Sequence, residues 1–102
     1  MSAQLIVAPP AEAQIRSINR WWRSNRPAAP DLFSQELASA FATLSAMPLI
    51  GHPVDHSEVM DLRRVLLRAT RYHVYYVASD VAVAVLAVWS SVRGAGPDLS
   101  SL

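Results

Sequence analysis

The segment Val81–Trp89, VAVAVLAVW, limits the possible folds of this chain more than any other. Every side chain in it is apolar, yet it is far shorter than the roughly 20 residues that cross a bilayer as a helix. Its valines favour extended backbone. A strand that is apolar on both faces is a central strand, because neither face can be left to water. The rest of the chain therefore has to supply a sheet around it and elements to cover that sheet.

The sequence before it provides both. Tyr72–Ala78 alternates, with Tyr72, Val74 and Tyr76 on one face and His73, Tyr75 and Val77 on the other. Ser79-Asp80 forms a tight turn into the apolar strand. Val59–Leu67 reads as a further strand, giving a C-terminal antiparallel three-stranded meander. Near the start, Gln4–Ala8 is a short β-prone stretch ended by Pro9-Pro10. A helix follows, with proline well placed in its first turn. Ala11, Ile15, Ile18 and Trp22 share one face, Arg16, Asn19, Arg20 and Arg23 lie on the other, and Arg26-Pro27 ends it near Asn25. A second helix starts at Pro30-Asp31, with Asp31 in the first turn. Its stripe is Phe33, Leu37, Ala40, Phe41, Leu44 and Met47, and Pro48 and Gly51 stop it. The short Pro-rich link predicts an antiparallel helical hairpin lying on the sheet. Phe41, Leu44 and Trp89 are expected between hairpin and sheet. Leu49–Glu58 reads as loop and Arg93–Leu102 as a tail, so residues 1–102 form one α+β domain.

The chain has no cysteine, which excludes disulfides and thiolate zinc sites. This fits a reducing cytoplasm, as does a start, Met1–Ala8, without a basic segment and long apolar run. Net charge is only +1, but all nine basic residues are arginine. Codon bias in a GC-rich genome accounts for that more readily than selection for bidentate anion binding. His52 and His56 are four apart with Asp55 and Glu58 nearby, a metal-pair spacing on a helix. Gly51 and Pro53 place them in a loop instead, so no metal or other cofactor is expected.

Arg63 and Arg64 are adjacent on a strand and point to opposite faces, one toward the helices and an acid, the other toward a partner. Arg68 and Arg71 flank the following turn. Trp21 lies about 100° round the helix from Trp22 and is a candidate interface anchor among arginines. The tyrosines and His73 read first as sheet packing.

Leu62-Arg63-Arg64-Val65-Leu66-Leu67, Tyr72-His73-Val74-Tyr75-Tyr76-Val77 and Val85-Leu86-Ala87-Val88-Trp89, in that order, resemble the C-terminal meander of the RelE/ParE toxin superfamily. Ile15–Trp22, Arg26-Pro27 and Leu32-Phe33-x-x-Glu36-Leu37 are similar to its helical hairpin, and Met47-Pro48 to Gly51 to the link before the sheet. The resemblance covers nearly the whole chain. It implies a toxin of a type II toxin–antitoxin system, held by an antitoxin in a hetero-oligomer. RelE-like members cleave mRNA on the ribosome, whereas ParE-like members inhibit DNA gyrase and pair with ParD-like antitoxins. Carried over to this chain, a RelE-like endoribonuclease site would draw on Arg63, Arg64, His73 and Arg93. Metal-free RNA cleavage also needs an acid and a base, and arginine stays protonated at neutral pH. Ser90 and Val92 stand where many ParE-like relatives carry histidine and the first of two arginines; only Arg93 matches. The long hairpin and the thin acid–base set favour the ParE-like branch, with Trp21, Arg64, Arg68, Arg71, Trp89 and Arg93 as the partner-binding candidates. A relative that binds its antitoxin but has lost toxicity is a further reading.

Overall fold

The computed structural model describes residues 3–92 together with Gly96, Pro97 and Leu99. Strand β1 (Gln4–Val7) leads into helix α1 (Pro9–Asn25), and helix α2 (Leu32–Ala46) follows. A two-residue strand β2 (His52–Pro53) precedes the meander of β3 (Arg63–Leu67), β4 (Tyr72–Ala78) and β5 (Ala82–Ser90). The sheet order is β1-β5-β4-β3-β2. The apolar run is thus an interior strand, antiparallel to β4 on one side and parallel to β1 on the other.

The hairpin covers one face of the sheet. Ala11 and Trp22 from α1 and Phe33, Leu37 and Leu44 from α2 are buried against Leu67, Val74, Tyr76, Val83, Val85 and Val88. A smaller cluster of Leu62, Tyr75, Ala87 and Leu99 occupies the other face. Both tyrosines in the Tyr75-Tyr76 pair are therefore buried, one on each side.

The structure departs from the sequence reading at several places. The third strand starts at Arg63, not Val59, because Asp61 adopts a left-handed conformation (φ 57°) that breaks extended backbone. Part of the expected loop, His52–Pro53, pairs with Arg64 and Arg63. Proline is tolerated there because β2 is the outermost strand. Asp31 is the residue before α2 rather than part of its first turn, and its carboxylate accepts a hydrogen bond from Arg23 Nη2 at 2.8 Å instead of capping the helix. Met47 follows the last residue of α2 and is half exposed. Leu44 is buried as expected and Phe41 packs at the margin of the same core, but Trp89 belongs to the far face. A bulge explains Trp89. The register passes from Tyr75↔Ala87 to Tyr76↔Val85, leaving Leu86 as an extra residue in β5. Val83 and Val85 face the hairpin before it and Val88 after it, so Trp89 turns away.

Candidate functional site

The far face of the sheet, which the hairpin leaves uncovered, carries a cleft of about 460 Å3. Arg64 from β3, His73 and Tyr75 from β4, and Trp89 from β5 line its floor, with His56, Asp55 and Leu99 at its walls. Strand pairing brings the polar groups together: Arg64 lies opposite Tyr75, and His73 opposite Trp89. Arg64 Nη1 donates to the Tyr75 hydroxyl at 3.4 Å, a long contact. The His73 and Tyr75 rings meet edge to face at 6.0 Å. Burial, and then the Arg64 cation, lower the pKa of His73 below its ordinary 6.5, so its imidazole is neutral at pH 7.

Arg63 is on the opposite side. Its Nη1 donates to the carbonyls of Gly51 at 2.7 Å and Leu49 at 3.2 Å. Among the described residues no acid pairs with it; two backbone oxygens of the incoming loop take that place, and Arg63 ties that loop to the sheet. His52 is exposed on β2, while His56 Nδ1 accepts the Glu58 N–H at 3.1 Å. Among the described residues, no three His, Asp or Glu side chains gather in a way that could hold a metal ion.

Trp89 also borders a second groove, of about 380 Å3, on the hairpin side. Gln14, Ser17, Ile18 and Trp21 of α1 form one wall, and Tyr72, Val88 and Ser90 the other. The groove lies where β1 stops at Val7, opposite Val85, beyond which no strand of the described residues pairs with β5 on that side. Gln14 Oε1 takes the Val88 N–H at 2.8 Å in place of a strand partner. Trp21 is 45% exposed, meets Trp22 edge-on at 5.9 Å, and carries the Arg26 guanidinium 4.9 Å above its ring. Arg68 and Arg71 are exposed on the β3–β4 turn at this end of the sheet. Arg93 lies outside the described residues.

Glu36 appears in the sequence only as part of the hairpin motif, with no role assigned to it. From α2 its carboxylate accepts the Ala69 N–H at 2.8 Å, the Thr70 N–H at 3.0 Å and the Thr70 hydroxyl at 2.6 Å. Burial works to raise its pKa, but the Thr70 hydroxyl and the two backbone N–H groups outweigh it and hold the carboxyl below its ordinary value. The available signal was an acid set between Phe33 and Leu37 on the buried side of an otherwise uncharged helix.

Comparison with known proteins places this architecture. The sequence profile described as the ParE toxin of the type II toxin–antitoxin system, parDE, matches residues 5–93. The chain belongs to the ParE toxin family. Among solved structures it is similar to a chain of the chromosomal ParDE toxin–antitoxin system from P. aeruginosa, with a TM-score of 0.68 at 16% identity. That match covers 87% of this chain and 96% of the other and concerns the fold. No curated protein sequence matches the chain. Among the described residues, no helix is long and apolar enough to cross a membrane.

Proposed function

We propose that this chain is the toxin of a ParD-like antitoxin and acts by binding DNA gyrase in the cytoplasm, not by cleaving RNA. The separation of Arg63 from Arg64 carries this reading. An endoribonuclease site needs its cations gathered around one scissile phosphate. Here Arg63 is on the opposite face from Arg64 and His73, and its guanidinium is engaged by the Leu49 and Gly51 carbonyls. A gyrase inhibitor needs no proton-transfer group; it needs a stable surface that favours one conformation of its target. The far-face cleft and the Trp21 groove, which share Trp89, provide such surface.

Arg64, His73 and Tyr75 do share a cleft, and a neutral imidazole can accept a proton, so the test includes RNA. Induction in cells should produce DNA damage and filamentation while bulk mRNA stays intact, and the purified protein should suppress gyrase supercoiling. Codon-positioned mRNA cleavage in a translating extract, abolished by Arg64→Ala or His73→Ala, would establish the ribonuclease reading in its place.

A further inference from the structure

We infer that the end of the sheet where the Trp21 groove meets the Arg68–Arg71 turn binds an acidic segment of the antitoxin that carries an apolar anchor; this rests on the toxin–antitoxin reading above. The turn is the starting point. Arg71 has φ 68°, the left-handed region where glycine is the ordinary occupant. A bulky residue there is unfavourable and persists where its surroundings fix it.

Those surroundings are unusually complete for an exposed turn. Glu36 reaches across from α2 to hold Ala69 and Thr70. The Arg71 N–H donates to the Leu67 carbonyl at 2.8 Å. The Arg71 carbonyl accepts both the Ser91 N–H at 2.9 Å and the Ser91 hydroxyl at 2.8 Å. The backbone bearing two arginines is thereby fixed from α2, β3 and the end of β5. Their guanidinium groups are not. Among the described residues, the one ion pair is Arg23–Asp31, and neither Arg68 nor Arg71 meets an acid. Glu36, the acid at the turn, has its oxygens on the N–H groups and the hydroxyl.

The turn adjoins the groove through Tyr72 and Ser90, which are partners in the sheet and both line it. Trp21 stands half exposed on the opposite wall. Tryptophan, tyrosine and arginine are the residues that dominate binding energy at interfaces when they surround a pocket that can be dried. Cations held without acids at the rim select an acidic partner and speed its approach. A carboxylate from the partner meets the guanidinium groups of Arg68 and Arg71, carried on a turn whose backbone is held in place, while an apolar side chain enters beside Trp21.

The test uses the full-length toxin and the antitoxin encoded beside it, with affinity measured at low and high salt. Arg71→Gly is the informative change. Glycine suits φ 68°, so the melting temperature should hold or rise while the guanidinium is lost. Arg68→Ala with Arg71→Gly should weaken binding about tenfold or more and flatten its salt dependence, and Trp21→Ala should weaken it by a similar factor. Wild-type affinity and salt dependence in the double variant would overturn the proposal and leave the toxin–antitoxin reading standing. Relief of gyrase inhibition with unchanged antitoxin binding would assign this surface to the target and overturn it equally. An antitoxin that fails to bind the wild-type chain would remove both readings.

Discussion

Gly51 is fixed by a close approach and not by a left-handed turn. A Cβ at this position would lie 2.6 Å from the Tyr76 hydroxyl oxygen, 2.8 Å from its ring and 2.9 Å from the Arg64 carbonyl. Tyr76 is fully buried and cannot swing away, and the carbonyl belongs to the sheet. Gly51→Ala should therefore destabilise the protein by about 1–3 kcal/mol through overpacking, readable in a denaturant melt. The Gly51 N–H also donates to the Tyr76 hydroxyl at 2.9 Å. Tyr76→Phe leaves that buried donor without a partner and should cost about 1–3 kcal/mol. A melt unchanged by either substitution would mean that the loop does not depend on this contact. The sequence marks Gly51 as a helix stop and part of the link before the sheet; a contact with a residue 25 positions away has no local signature.

At the scale of elements, Glu36 joins the hairpin to the β3–β4 turn. Its three contacts are made by the carboxylate, so protonation weakens them. The folded-state pKa is depressed below 4.5. The stabilisation is thus complete above the ordinary glutamate range and disappears as pH falls through and below it. Glu36→Gln should lower the melting temperature at pH 7 and narrow its gap to wild type below pH 4.5, the ordinary value. A constant gap down to strongly acid pH would show that the charge contributes nothing. The turn itself was legible from the sequence, as were both helices and the alternation of Tyr72–Val77, since each depends on local periodicity. The bulge was not. In a run as uniformly apolar as VAVAVLAVW, either side-chain alternation satisfies the pattern, so nothing local marks Leu86 as the extra residue or turns Trp89 away from the hairpin. Likewise, Val59 and Leu62 read as strand until Asp61 takes positive φ, and the pairing of His52–Pro53 with β3 depends on a partner distant in sequence. The same limit applies to the candidate site: adjacency on a strand was enough to separate Arg63 from Arg64, but the union of Arg64 with Tyr75 required the register.

Across the whole molecule, the two faces of the sheet differ in depth. On one, α1 and α2 close a core that draws on β3, β4 and β5, and Leu44 within it is inaccessible to solvent. On the other, Leu99 is buried with Leu62, Tyr75 and Ala87 beside an open cleft that also reaches His73 and Arg64. Truncating either leucine removes the same methyl groups, but the consequences differ. Leu44 is fully buried among apolar side chains of both helices and the sheet, so its truncation forfeits contacts that nothing replaces, and Leu44→Ala should cost about 2–5 kcal/mol. A void at the cleft opens to water and leaves the larger core intact, so Leu99→Ala should fall toward the low end, about 2 kcal/mol or less. The second variant should also gain affinity for an apolar dye, because the far face is widened while the chain remains folded. Paired denaturant melts with dye fluorescence measure both effects. Equal losses of stability, or a dye response confined to Leu44→Ala, would show that the far-face cluster is as much a part of the cooperative core as the hairpin side. The predicted inequality instead describes a scaffold whose hairpin side maintains the fold while the far-face cluster beside the cleft contributes less to it.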